Sequence, residues 1–176
     1  AFSVFIELHK EDPEEFWKNL KKCLPHIGLL VSGGNTLVFK ITEHLEIQVL
    51  AQTVDDAAGE AFDKVAKLLN LGYPGGALVE KHAALGNPKR FSLPRPLFHT
   101  PNCNFSFSGL KTAVLKKIQT LSTPITHQDQ NDMAAAFQEA VGDVLIDRCT
   151  NAFQFCQKFS TSFPFILAGG VAANLY

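Results

Sequence analysis

Ser32-Gly33-Gly34-Asn35-Thr36 separates two apolar runs, Ile27-Gly28-Leu29-Leu30-Val31 and Leu37-Val38-Phe39-Lys40-Ile41. Both runs have strand character, so the five residues form a loop between strands. Adjacent glycines carry no Cβ, and successive N–H groups, with the Ser32 and Thr36 hydroxyls, can converge on an anion such as a phosphate. A glycine pair between strands serves as readily for a plain hairpin turn. Downstream residues separate the two readings.

After the second strand the run Thr53-Val54-Asp55-Asp56 supplies a helix cap with an acid three residues on, and Ala57, Ala58, Ala61, Phe62, Val65, Ala66, Leu68 and Leu69 keep helical apolar spacing. The polar face carries Asp56, Glu60, Asp63 and Lys67, which places the carboxylates on one stripe. Helix acids are ordinarily solvated, so alone this stripe is no site. A second glycine pair, Gly75-Gly76, follows Tyr73-Pro74, and a third, Gly169-Gly170, follows the strand-like Phe163–Ala168.

These residues must be held by a folded scaffold. An apolar share of 46% against 19% charged, over 176 residues, is the composition of one globular domain and excludes disordered, collagenous and coiled-coil classes. A formal charge of −1 gives no global attraction to nucleic acid. Lys89, Arg90 and Arg95, and separately Lys111, Lys116 and Lys117, are local basic concentrations of the kind that usually form solvated faces. The cysteines Cys23, Cys103, Cys149 and Cys156 contain no Cys-x-x-Cys pair and read as buried thiols of a reducing compartment. No apolar run reaches the length of a membrane span, and no leader pattern opens the sequence, which points to a soluble, intracellular protein.

The elements follow in order. Asp12-Pro13-Glu14-Glu15 opens a short helix to about Lys22, which Pro25 ends. Strands near 27–32, 36–41 and 45–50 form an antiparallel meander, and the Asp55 helix comes next. Residues 72–104 are loop-dominated, with a short helix near Leu78–Leu85. Phe105–Ser108 reads as a short strand with both phenylalanines on one core-facing side, Gly109 turns it, and Leu110–Thr120 is helical. A long helix runs from about Asp132 to Phe159. The sequence then ends where Gly169-Gly170 launches another helix, so a fragment of a longer polypeptide is expected.

Three meander strands, a helix and a strand–glycine turn place the chain in the α/β class and resemble a ribonuclease-H-like, actin-like ATPase lobe, with a mixed sheet, flanking helices and an insertion at about 72–130. The residues extend the likeness. Leu30-Val31-Ser32-Gly33-Gly34-Asn35-Thr36, Asp55-Asp56-Ala57-Ala58-Gly59-Glu60-Ala61-Phe62-Asp63-Lys64, Tyr73-Pro74-Gly75-Gly76, Phe105-Ser106-Phe107-Ser108-Gly109-Leu110-Lys111-Thr112 and Ala168-Gly169-Gly170-Val171-Ala172-Ala173-Asn174 together resemble the tRNA adenosine threonylcarbamoyltransferase family, formerly called O-sialoglycoprotein endopeptidases. The resemblance covers about residue 27 to the end, as the second actin-like lobe, and leaves 1–26 as a linker helix.

It implies transfer of threonylcarbamoyl from threonylcarbamoyl-AMP to the adenosine beside the anticodon of ANN-decoding tRNAs. The ligand, threonylcarbamoyl-AMP or ATP, would be held along Leu30, Val31, Ser32, Gly33 and Gly34, with the Gly33 and Gly34 N–H groups on the phosphate or carbamoyl end. Asp63 and Glu80 would accept from the ribose hydroxyls, Gly76 would let the backbone approach, and Asn174 would hydrogen-bond the nucleotide. Lys111 is either a tRNA-phosphate contact or a solvated lysine. No catalytic residue is assigned.

The resemblance also implies a divalent metal, iron or zinc, but the His-x-x-x-His pair and the aspartate that hold it would fall outside this chain, and an archaeal tyrosine ligand would fall at Leu30, which cannot coordinate. The chain alone is therefore expected to be inactive. Asn35 stands where the bacterial and mitochondrial branch generally has histidine, although the Asp55–Lys64 run is of that branch. Implied partners are tRNA and, for a bacterial protein, an actin-like paralogue subunit and a small ATPase subunit, with a homodimer also open; the implied location is the cytoplasm or the mitochondrial matrix. The competing class is an actin-type nucleotide-binding scaffold or regulatory ATPase without transfer chemistry.

Overall fold

The computed structural model describes residues 13–121, 124–157 and 164–176. Helix α1, Pro13–Lys22, begins with Glu14 and Glu15 and ends with Lys21 and Lys22, charges that suit the two ends of a helix dipole. Its expected cap, Asp12, lies outside the described residues, as do Phe159 and Phe163. Strands β1, His26–Val31, β2, Thr36–Ile41, and β3, Ile47–Gln52, form the meander, with β3 two residues later than its alternation suggested. Strand β4, Phe165–Ala168, pairs parallel to β1, so the sheet order is β3-β2-β1-β4. Strand β1 is therefore central, and all its residues but Leu30 are buried.

Helix α2, Ala58–Leu68, meets the end of this sheet through its first turn, where Ala58 and Gly59 approach Thr36 and the Ser32–Gly33 backbone, and it buries Ala61, Phe62 and Val65 in the core. Helix α3, Gly75–Ala83, starts three residues ahead of the expected span, and α4, Ser108–Ile118, two residues ahead of its own. Gly109 is thus inside α4 and turns nothing. The Phe105 region contributes one parallel bridge to Thr53 instead of a strand. Phe105 and Phe107 are both fully buried and stacked, ring centroids 6.2 Å apart, which makes them core residues.

Helix α5, His127–Gln157, is the spine. At 1.5 Å per residue it is about 46 Å long. Its apolar side buries Met133, Phe137, Val141 and Val144, and Phe137 meets Phe62 edge-on at 5.0 Å. Cys156 is buried whereas Cys23, Cys103 and Cys149 are only partly so, and all are free thiols. Burial pushes the Cys149 thiol up to about 12.

The loop from Gly86 to Asn104 is clamped along α5 by charge. Arg90 pairs with Asp129 and Asp132, Arg95 with Glu139 and Asp143, and Lys89 with Glu139. Hydrogen bonds from Thr126 and then the Arg90 guanidinium hold the Asp129 carboxyl below its ordinary value. Burial works against ionisation of Asp132, but bonds from Arg90, the Asn87 N–H and Gln128 outweigh it, and Lys89 foremost lowers Glu139. A carboxyl lowered in the folded state adds stability above its unfolded value and loses it as pH falls through the folded one. The clamp should therefore hold at neutral pH and release below the ordinary values of 3.8 for aspartate and 4.5 for glutamate. Limited proteolysis across 86–104 between pH 6 and pH 3 checks this; cleavage at a constant rate would contradict it.

Candidate functional site

The Ser32–Asn35 loop closes on itself. The Ser32 N–H donates to the Asn35 carbonyl at 2.8 Å and the Asn35 N–H to Ser32 Oγ at 3.0 Å. Neither Gly33 nor Gly34 has a positive φ, a Cβ on either would meet nothing within 4 Å, and their N–H groups donate to no described residue. Both are exposed. The turn thus closes without using glycine's conformational freedom, and what their missing Cβ atoms leave clear is outer space in front of two unspent donors.

The Thr36 hydroxyl does not face that space. Thr36 is buried and its Oγ1 accepts the Ala58 N–H at 2.9 Å, capping α2 from the sheet. Thr53, expected to be that cap, instead donates its hydroxyl to the Asp56 carbonyl. The cap brings α2 so close that Gly59 packs on the glycine loop, where a Cβ would sit 2.7 Å from both Gly33 N and Ser32 O. The expected acidic stripe is also divided. Lys64 pairs with Asp56 and Glu60, while Asp63 turns away to accept the Gly75 N–H at 2.8 Å through Oδ1.

Asp63 thereby sets the start of α3 and places Gly76, whose missing Cβ likewise faces nothing within 4 Å. Further along α3, Glu80 Oε1 accepts the Leu175 N–H at 2.8 Å. Asn174 donates through Nδ2 to Gln138 and accepts the Tyr176 N–H at Oδ1, so its amide is committed within the chain. Gly169 leaves β4 at φ 105° directly over the Val31 carbonyl, and Gly170–Ala173 forms a single 3-10 turn, shorter than the helix expected there. That turn touches both β1 and α2.

These contacts make a circuit around one crevice at the carboxyl ends of the parallel strands β1 and β4, the position at which α/β sheets bind ligands. Ser32, Gly33, Gly34, Asp63, Gly76, Glu80 and Gly170 stand on this circuit or beside it in sequence. Asp63 Oδ2 and Glu80 Oε2 make no bond to a described residue. Val31 is buried and Leu30 half-buried between Leu37 and Ala168, so these two can serve a ligand through main chain at most. Between α5 and the β1–β4 face lies a cavity of about 430 Å3 lined by apolar residues such as Leu29, Phe62, Leu145 and Phe153, with the candidate residues Val31 and Asn174 also on its wall. Its apolar lining suits hydrocarbon and not phosphate.

Asp55 escaped the sequence reading. Its Oδ1 accepts the Phe107 and Ser108 N–H groups and its Oδ2 the Ser106 and Ser108 hydroxyls, so it caps α4 from more than fifty residues away in sequence. Burial opposes its charge, but these bonds prevail and keep the carboxyl below the usual aspartate range. The adjacent acids Asp55-Asp56 before a helix were the only signal, and they pointed to the wrong helix.

Among the described residues no three His, Cys, Asp or Glu side chains converge, so these residues do not fit a metal centre. Nor is any described helix long and apolar enough to cross a membrane.

A four-stranded mixed sheet with flanking helices and a glycine-rimmed crevice at its switch point is a lobe of the actin-like ATPase class. The profile of the family described as tRNA N6-adenosine threonylcarbamoyltransferase matches residues 12–176, and the chain belongs to that family. It is 49% identical over 152 residues to the tRNA N6-adenosine threonylcarbamoyltransferase of Rhodospirillum rubrum, covering 85% of this chain and 42% of that protein. It is 50% identical over 160 residues to the protein of the same description from Thermosipho melanesiensis, covering 91% and 46%. The Rickettsia conorii protein is 44% identical over 155 residues, covering 86% and 45%. The chain thus spans under half the length of these curated relatives.

Proposed function

We propose that this chain is the adenylate-holding part of a transferase that moves threonylcarbamoyl from threonylcarbamoyl-AMP to N6 of the adenosine beside the anticodon of ANN-decoding tRNAs. Family membership supports the reaction class. The observation that carries the site is a division among the glycines. Gly59, Gly75 and Gly169 are required by close backbone approach, whereas Gly33, Gly34, Gly76 and Gly170 face open space with ordinary backbone, each on or beside the circuit of contacts at the carboxyl ends of β1 and β4. The fold has no use for glycine at those four positions; an incoming ligand does.

In the transfer, the N6 lone pair attacks the carbamoyl carbon and forms a C–N bond. The bond from that carbon to the phosphate oxygen breaks, AMP leaves with the electron pair, and N6 loses one proton. The Gly33 and Gly34 N–H groups receive the phosphate, where charge grows as the leaving group departs. Ser32 shapes that turn. Asp63, held by the Gly75 N–H, and Glu80, held by the Leu175 N–H, each keep one carboxylate oxygen for the ribose hydroxyls. Asn174 acts from the crevice wall through its bond to Gln138. On this reading the chain is the second actin-like lobe of its protein, with 1–26 as a linker and 72–130 as an insertion. The partners are an actin-like paralogue and a small ATPase subunit, the metal is iron or zinc on residues outside the chain, and the protein works in the cytoplasm or the mitochondrial matrix.

Titration calorimetry of the full-length polypeptide with a non-hydrolysable threonylcarbamoyl-adenylate analogue tests the site. Gly33→Ala with Gly34→Ala should change stability by no more than about 0.5 kcal/mol, as surface substitutions do. The same pair should weaken analogue binding by about tenfold or more, the equivalent of one lost charge-assisted hydrogen bond. Equal binding with and without the methyl groups would remove the loop from the site. Asp63→Ala should weaken binding too, and unaltered binding would leave Asp63 as a cap of α3 only.

A further inference from the structure

Buried polar side chains in this fold hold main chain or charge. Thr36 receives the Ala58 N–H, Asp129 the Thr126 N–H and Arg90, and Asp132 the Asn87 N–H and Arg90, while Arg148 donates to two carbonyls and a carboxylate. Gln138 does neither. It stands near the middle of α5, beside the fully buried Phe137, and is itself only 7% exposed. Its one side-chain bond to a described residue runs to another side chain, the amide of Asn174, at 2.8 Å. Asn174 is half-buried, so water can serve its amide, and the fold gains little from burying a second amide to meet it. An apolar side chain of the same length would pack against the cavity wall that Gln138 shares with Phe62 and Val141.

What the bond does is orient Asn174. That residue follows the 3-10 turn Gly170–Ala173 with extended backbone, outside any regular element. Its Oδ1 accepts the Tyr176 N–H at 2.9 Å, which settles which end of the amide is oxygen, so Nδ2 faces Gln138 and Gln138 presents Oε1. One hydrogen on Asn174 Nδ2 and one lone pair on its Oδ1 are left for a ligand. Tyr176 is two residues away and moves with the same short segment, whereas Gln138 lies 36 residues away on a 31-residue helix. A group held from a helix is placed more precisely than one carried by a turn alone. The segment is seated on the same helix again one turn later, where a Cβ on Gly142 would meet the Tyr176 ring at 3.1 Å. Between these two points the Leu175 N–H donates to Glu80, so the stretch that Gln138 steadies also holds the second proposed ribose acceptor.

We propose that Gln138 is a positioning residue for the adenylate: it holds Asn174 Nδ2 so that the remaining donor and acceptor of the Asn174 amide face the nucleotide. This rests on the transferase reading above. The test is titration calorimetry of the full-length polypeptide with the non-hydrolysable threonylcarbamoyl-adenylate analogue, beside thermal unfolding of each variant. Gln138→Met keeps the length of the side chain and removes the acceptor. It should weaken binding about fivefold, what one neutral hydrogen bond contributes, and move Tm by less than about 3 °C. Gln138→Glu keeps an acceptor oxygen whether or not its carboxyl is protonated and should bind within about twofold of the unsubstituted protein. Asn174→Ala should weaken binding about tenfold, and adding Gln138→Met should weaken it no further, because Gln138 acts through Asn174. If Gln138→Met binds as the unsubstituted protein does while Asn174→Ala does not, or if the two losses multiply to about fiftyfold, the proposal is overturned and the transferase reading stands. A Gln138→Met variant that loses binding and Tm together, with neither restored by Gln138→Glu, marks a packing residue and overturns it as well. If the unsubstituted protein does not bind the analogue, the adenylate reading itself fails and takes the role of Gln138 with it.

Discussion

Alanine at position 169 is expected to destabilise the protein by about 3 kcal/mol, near the upper end of single-site effects. Gly169 has φ 105° and ψ 163°, a region that residues with a side chain hardly enter. An added Cβ would overlap the Val31 carbonyl oxygen and lie 2.7 Å from its carbon. Those atoms belong to the central strand of the sheet, and no flexible side chain stands there to swing away. Relief requires β4 to separate from β1 where Leu30 pairs with Ala168, which opens the crevice floor. Gly170→Ala is the internal comparison, because a Cβ there meets nothing within 4 Å. Chemical denaturation of the two variants should differ by more than about 2 kcal/mol. Similar midpoints would mean that β1 and β4 are not in the close contact described.

Arg148→Met should be comparably severe, at about 3–5 kcal/mol, the usual result of removing one partner of a buried charge pair. Arg148 has no exposed surface. Its guanidinium donates to the Asp147 carboxylate, to the Thr100 carbonyl and hydroxyl at 3.1 and 2.8 Å, and to the Asn102 carbonyl at 2.7 Å. Asn151 donates to the same two carbonyls, at 2.9 and 3.2 Å, and can hold only part of what the arginine holds. Removing Arg148 leaves the largely buried Asp147 with His99 as its remaining partner. Adding Asp147→Asn removes that orphaned charge, so the double variant should cost clearly less than the two single variants together. Additive losses would show that the two residues act separately, and a loss under about 1 kcal/mol for Arg148→Met would show that the loop does not depend on it.

What the sequence alone determined about this protein is local. The strands β1 and β2 with their glycine loop, the helical run through Phe62 and Val65, and the motifs in their family order were legible because strand alternation, helical spacing and turn chemistry depend on residues a few positions apart. The fold class and the family followed from them. The tertiary structure decided which hydroxyl and which carboxylate serve as caps. Thr36 reaches Ala58 across 22 residues and Asp55 reaches Phe107 across 52, and neither partner is written in the spacing around the donor or acceptor. It decided that Asp63 turns from the acidic stripe to Gly75, and that the loop cations find their acids on α5. It also separated the glycines that packing requires from those left open at the crevice, because close approach of two backbones is a property of the packed chain, and both kinds of glycine look the same in one dimension.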